Sequence, residues 1–175
     1  MIKNVKLDID FEQFVNSDYT VHSGSCINHQ VHELTDIHDR FGGMPETYVL
    51  ANTTIPQLWW DNTQLDFDDI GTQLGMDVVT ISSIQQPPGN VIPWHRDTFF
   101  QINKRFPDDT RTKVRANVYL QDWKMGHFLQ YDDIVKTHWS AGEGLMWDSS
   151  VEHVGANAGM EHKYTLQVSG FLLDR

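Results

Sequence analysis

Cysteine is almost missing from this chain: Cys26 stands alone. One thiol excludes a disulfide within the chain and a cysteine-built zinc site, and it suits a reducing compartment, so a cytoplasmic location is expected. Long apolar runs are missing as well. No stretch approaches the roughly 20 residues that a bilayer-spanning helix needs, and the first residues lack the apolar core of a secretory signal, so no membrane role is expected. Positive charge is scarce: 13 Lys and Arg stand against 24 Asp and Glu, a formal net charge of −11. A nucleic-acid enzyme needs a cationic track along the phosphates, and this balance opposes one. Lys104-Arg105 and Arg111-Lys113-Arg115 concentrate some basic charge. The plainer reading of them is a solvated loop and a charge-flanked strand.

The 175 residues, 39% of them hydrophobic, are enough for one domain with a sizeable core. Residues 1–76 read as a support of helices and strands, and 77–173 as a β core. In the first part, Val5 to Phe11 alternates apolar and polar residues and predicts a strand, and Phe14 to Ser25 reads as loop. Ile27 to Phe41 carries apolar residues at helical intervals and is stopped by Gly42-Gly43. Thr47 to Ala51 predicts a strand, and Asp66 to Leu74 a helix ended by Gly75. From Asp77 onward eight short extended segments follow, at about 78–86, 91–98, 113–121, 127–131, 134–139, 144–148, 151–155 and 162–173. Their number and regular turn signals predict a mostly β jelly roll with N-terminal helices.

One segment concentrates the chemistry. His95 and Asp97 are separated by one residue in an extended run after the turn Pro87-Pro88-Gly89. On a strand, residues i and i+2 point to one face, so an imidazole and a carboxylate are aimed together. One distant His would complete the two-histidine, one-carboxylate set that holds non-haem Fe(II) and leaves coordination positions open. His153 is the candidate, and Lys163 follows it by ten residues in another extended pattern. The competing reading of His95 and Asp97 is a solvated pair near a turn. His22, His29, His32, His38 and His162 lie outside the strand segments or at their edge, whereas His127 and His138 lie among them without a downstream cation. His29 and His32 have a spacing that can bind zinc, but a solvated helix face is the plainer reading. Lys163 also reads as a strand-edge lysine. Arg115, Asn117 and Tyr119 alternate with Val114, Ala116, Val118 and Leu120, and alternation alone does not say which face is inside. Trp139 and Trp147 read as core, and one of Trp59 and Trp60 as lining a cleft.

The ordered set of a Pro-Gly turn, His95-x-Asp97, a distal His153 and Lys163 ten residues on resembles the 2-oxoglutarate- and Fe(II)-dependent oxygenases. The likeness is greatest to prolyl 4-hydroxylase-type members and covers about residues 78–173. Asp148 to His153 also looks like the aspartyl/asparaginyl β-hydroxylases, which lack the iron-binding Asp. The resemblance implies a double-stranded β-helix, with His-x-Asp on its second strand, the distal His on the seventh and the cation on the eighth. It implies Fe(II) on His95, Asp97 and His153, and 2-oxoglutarate held at its distal carboxylate by Lys163, with Asn117 and Tyr119 facing it. The implied reaction is hydroxylation with release of succinate and CO2. The same likeness favours a protein or peptide side chain as substrate, with a free small molecule or amino acid as the alternative. Nucleic acid is disfavoured again, because Thr98 and Lys163 to Leu166 stand where nucleobase demethylases carry an Asn and an arginine-rich strand. The acidic balance favours a basic partner, and Thr98 to Lys113 is placed to act as a lid. A zinc hydrolase and a non-catalytic binding barrel remain as readings from other classes, although the latter has no use for Lys163.

Overall fold

The computed structural model describes residues 1–20, 25–26 and 32–173. In chain order these form β1 (Ile2–Lys6), α1 (Glu12–Val15), β2 (Ser25–Cys26), α2 (His32–Asp39), α3 (Leu50–Thr53), β3 (Thr54–Ile55), β4 (Gln57–Trp60) and α4 (Phe67–Leu74). Eight further strands follow: β5 (Met76–Gln86), β6 (Val91–Arg96), β7 (Lys113–Tyr119), β8 (His127–Tyr131), β9 (Ile134–Lys136), β10 (Glu143–Asp148), β11 (Glu152–Asn157) and β12 (Lys163–Leu172). A short helix, α5 (Phe100–Arg105), interrupts them between β6 and β7.

The eight strands divide between two antiparallel sheets, as a double-stranded β-helix requires. The larger has the order β1-β10-β7-β12-β5-β4, and the smaller β6-β11-β8-β9. The N-terminal segment therefore does more than cover the barrel: β1 pairs with β10 and β4 with β5, occupying both edges of the larger sheet. An unpaired edge is a template for association, and these two strands remove it from the eight-stranded core.

Two cores hold the sheets. On the outer face of the larger sheet, Val114, Ala116 and Val118 of β7 and Leu166 and Val168 of β12 pack with Leu7, Phe14, Ile70 and Leu74 from the N-terminal segment. Between the sheets, Tyr119, Leu129, Tyr131, Leu145, Trp147 and Val151 form a second cluster with Trp139. Both faces of β7 are thus buried. Its apolar face lies under the helices and its polar face looks between the sheets.

Local chemistry explains the elements that matched expectation and those that did not. In α4 the Asp66 carboxylate accepts from the Asp69 amide at 2.9 Å, and Gly75 closes the helix at φ 74°. The strand expected at 47–51 is instead a turn leading into α3. There the Asn52 side chain accepts from the Val49 amide and donates to the Thr47 carbonyl, while Thr53 Oγ1 donates to the Val49 carbonyl. Such local bonds compete with a ladder and curl the backbone. The strand expected at 5–11 lies earlier, at Ile2–Lys6, because Asp10 Oδ1 accepts from the Glu12 amide and starts α1, which occupies part of the loop expected from Phe14. Of the helix expected at 27–41, His32–Asp39 is helical, and residues 27–31 lie outside the described residues.

At the bulge in β12, a Cβ on Gly170 would stand 1.9 Å from the Asp77 carbonyl oxygen on β5. Backbone on both sides leaves no flexible group to yield. Gly170→Ala is expected to cost about 3 kcal/mol in urea unfolding, against about 1 kcal/mol for loss of the α4 cap in Asp66→Ala. Equal costs would place the strand pairing elsewhere.

Candidate metal centre and cleft

The smaller sheet brings two histidines together by register. His153 on β11 pairs directly across from His95 on β6, and their rings lie 4.2 Å apart between centroids. Asp97 follows one residue after β6 ends. Ligand atoms of His95, Asp97 and His153 all lie within 4.8 Å of one another, and no other group of metal-ligating side chains is found among the described residues.

The hydrogen bonds prepare the two imidazoles as ligands. His95 Nδ1 lies 2.7 Å from the Pro93 carbonyl, and His153 Nδ1 3.3 Å from the Val151 carbonyl. A carbonyl only accepts, so each Nδ1 carries the proton and each Nε2 keeps its lone pair. Burial lowers the pKa of His95, and burial together with His95 takes His153 down to about 3. Burial alone would raise Asp97, but Arg115 and the two histidines hold it below the ordinary carboxylate value. Two neutral imidazoles and one carboxylate result, with no proton to displace before a cation binds.

Asp97 is clamped from two sides. The Arg115 guanidinium pairs with its Oδ1 through Nη1, and Trp147 Nε1 donates to its Oδ2 at 2.8 Å. Arg115 is itself held by Ser169 Oγ, 3.0 Å from its Nε, and lies over the Phe99 ring. Trp147 is fully buried, as a core residue should be, but its indole nitrogen gives it a second role. Nothing in the sequence distinguished it from Trp139. Arg115 was legible only as part of a polar stripe and a basic run. That run is not a surface patch, because Arg115 turns inward while Arg111 pairs with Asp77 and Asp109.

A cleft of about 360 Å³ opens beside the triad, lined on the larger sheet by Arg115, Asn117, Gln167 and Ser169. Asn117 thus faces the cleft. Its Nδ2 donates to the Tyr131 hydroxyl at 3.1 Å, while its buried Oδ1 has no partner among the described residues. Tyr119 lies off the lining, stacked on Trp139, and its buried hydroxyl lacks a hydrogen bond of good geometry. Lys163, at the start of β12, is also off the lining. Its Nζ donates to the Phe128 and Ala156 carbonyls at 3.0 and 3.1 Å and sits 3.5 Å from where a Cβ on Gly155, a lining residue, would stand. It is 3% exposed, no carboxylate pairs with it among the described residues, and burial drives its pKa down to about 7.

The other histidines stay apart from the triad. His38 Nε2 bonds the Trp94 carbonyl, His127 Nε2 the Glu161 carbonyl, and His138 stacks on Trp123. His22, His29 and the side chain of His32 lie outside the described residues. Trp59 is exposed and lines the cleft, whereas Trp60 packs edge-on against Phe14 and donates to Ser83. The segment expected as a lid folds as α5, entered through Phe99 at φ 51°, and Phe99, Phe100, Gln101 and Ile102 line the cleft. Through Trp59, Thr80 and Gln101 the cleft adjoins a larger groove of about 870 Å³.

No protein-family profile and no curated protein matches this chain. Among solved structures, a viral collagen prolyl hydroxylase from Paramecium Bursaria Chlorella virus-1, determined as its 2OG complex, aligns over 99% of this chain and 96% of its own, with TM-score 0.53 and 12% identity. A prolyl-4-hydroxylase from Pseudomonas putida aligns over 69% of this chain and 73% of its own, with TM-score 0.48 and 22% identity. The likeness to the viral protein is one of fold, and it runs the length of both chains.

Proposed function

We propose that this protein is a 2-oxoglutarate- and Fe(II)-dependent dioxygenase that hydroxylates a protein or peptide side chain, releasing succinate and CO2. The observation that carries the reading is the triad: two imidazoles with Nε2 free and an ionised Asp97, converging on one point at the edge of a cleft. That donor set fits Fe(II) with open positions for further ligands. The same ligands would serve a zinc hydrolase, but a hydrolase gives no reason for a buried, unpaired Lys163.

The cosubstrate fits groups that are otherwise unsatisfied. Among the described residues Lys163 is a buried cation without an anion, and Asn117 Oδ1, on the cleft lining, is buried without a partner. A carboxylate arriving beside Gly155 would give Lys163 its counter-charge. When bound, Fe(II) and 2-oxoglutarate would activate O2, the oxidant for C–H hydroxylation, with one oxygen atom passing to the substrate and the other to succinate. The chain's own groups orient them: Arg115 and Trp147 hold Asp97, and the Pro93 and Val151 carbonyls fix the histidine tautomers. Continuity of the cleft with the outer groove supports an extended substrate whose one side chain enters the cleft.

Anaerobic addition of Fe(II) and 2-oxoglutarate is expected to give a weak charge-transfer band near ~500 nm, as a chelating keto acid does on this kind of site. His95→Ala and Asp97→Ala should each remove it. A band that persists in both variants would overturn the ligand assignment.

Lys163→Met should weaken 2-oxoglutarate binding by about 2–5 kcal/mol, the scale for a buried charged partner, and leave metal affinity nearly unchanged. The pH dependence has a definite sign. The folded protein releases the Lys163 proton near pH 7, whereas the unfolded chain keeps it to about 10.5. The unfolded state therefore binds more protons between these values, and this group makes stability rise with pH across that window. Chemical unfolding at pH 7, 8 and 9 should show that rise without 2-oxoglutarate, and Lys163→Met should flatten it.

A further inference from the structure

We propose that Arg115 is the specificity-determining residue of the cleft, and that it selects a substrate bearing a carboxylate next to the carbon that is oxidised. The inference rests on the oxygenase reading and adds the chemical class of the substrate. Among the described residues Arg115 is the one cation that both lines the cleft and pairs with a triad side chain, and its own side chain is 21% exposed. Its Nη1 is committed to Asp97 and its Nε to Ser169, but its Nη2 bonds no described residue. The two Nη atoms belong to one planar group, so an anion on Nη2 would lie beside the metal ligands.

The surroundings match a polar ligand. The inner face of the larger sheet carries Thr80 and Ser82 on β5, Gln167 and Ser169 on β12, and Asn117 beside Arg115 on β7, all lining the cleft. Strand register places Ser169 opposite Arg115 and Thr80, and Gln167 opposite Asn117 and Ser82. An apolar substrate would strip water from the Gln167 amide and from Asn117 Oδ1 and leave both unpaired. The Gln167 amide bonds no described residue, and Asn117 Oδ1 is buried without a partner.

Charge points the same way. Asp97 is the only carboxylate among the described residues lining the cleft. With one 2-oxoglutarate carboxylate balancing Lys163, Arg115 balanced by Asp97, and a divalent cation half balanced by the remaining cosubstrate charge, the enclosed site is one negative charge short. A substrate carboxylate supplies it, and the guanidinium is suited to accept it in a planar, paired geometry. In a chain of net charge −11 this is a local reversal of sign, of the kind that recognises a specific anion.

Two sources share this chemistry, a free organic acid and an acidic side chain in a peptide, and one experiment separates them. Protein loaded with Zn(II) and 2-oxoglutarate is titrated, with ligand-observed NMR, against two sets of probes. The first set is butyrate, L-proline and L-glutamate beside their primary amides. The second is blocked peptides carrying Asp or Glu beside the same peptides with Asn or Gln. In at least one set the acid should bind about tenfold more tightly than its amide, the scale of one charged hydrogen-bonded pair. The preference should vanish in Arg115→Gln. No acid preference in either set, or one that survives Arg115→Gln, overturns the proposal. The variant also releases Asp97, so the wild-type comparison decides alone if Arg115→Gln no longer holds metal. Failure of the oxygenase reading shows separately, as a missing ~500 nm band with Fe(II).

Discussion

The pairing of His153 against His95 is the constraint on which the rest of the site depends. Side chains alternate along a strand, so a slip of one residue between β6 and β11 would turn one imidazole to the outer face and leave no metal site. The outer face guards that register. Glu152, beside His153, pairs across the strands with Arg96, accepts from Trp94 Nε1 at 3.1 Å and also binds Arg40. Arg96 continues to Asp36 on α2. The residues flanking the triad in sequence thus point away from it and tie its two strands to each other and to the N-terminal segment.

Inside, the organising fact is the unequal treatment of the two faces of the larger sheet. The outer face is apolar and sealed by α1 and α4, which makes it a rigid plate. The inner face carries hydroxyls, amides and one guanidinium into a space shared with the triad. A low-dielectric wall behind such groups strengthens every charge interaction in front of them. The same setting explains why Lys163, with only carbonyl partners, is driven toward neutrality, and why Asp97, with Arg115 beside it, is not.

The eight strands of the barrel were legible because each is short, alternating and bounded by turns, and α4 because Asp66 and Gly75 mark its ends chemically. The 47–51 segment misled because Val49 and Leu50 look like strand residues, while Asn52 and Thr53 supply the side-chain bonds that bend it. Asn117, which the resemblance places facing 2-oxoglutarate, lines the cleft. Tyr119, two residues on, lies deeper, because stacking on Trp139 draws its ring into the core between the sheets. The role of Trp147 had no sequence signal, since a tryptophan that packs and one that also donates to a carboxylate read alike.

By itself the sequence determined the alternation that makes the strands, the caps of α4, and a His-x-Asp pair sharing one face with a second His and a Lys downstream. These are local properties, set by side-chain period and turn chemistry. Tertiary structure decided what depends on pairing between distant segments: which histidine meets His95, which face of β7 lies inward, and that Arg115 turns from a run of basic residues to face Asp97. It also decided that Lys163 is buried behind Gly155, where its partners among the described residues are carbonyls. Sequence distance carries no information on these points, because register between strands is chosen by the burial of whole faces and not by any residue alone.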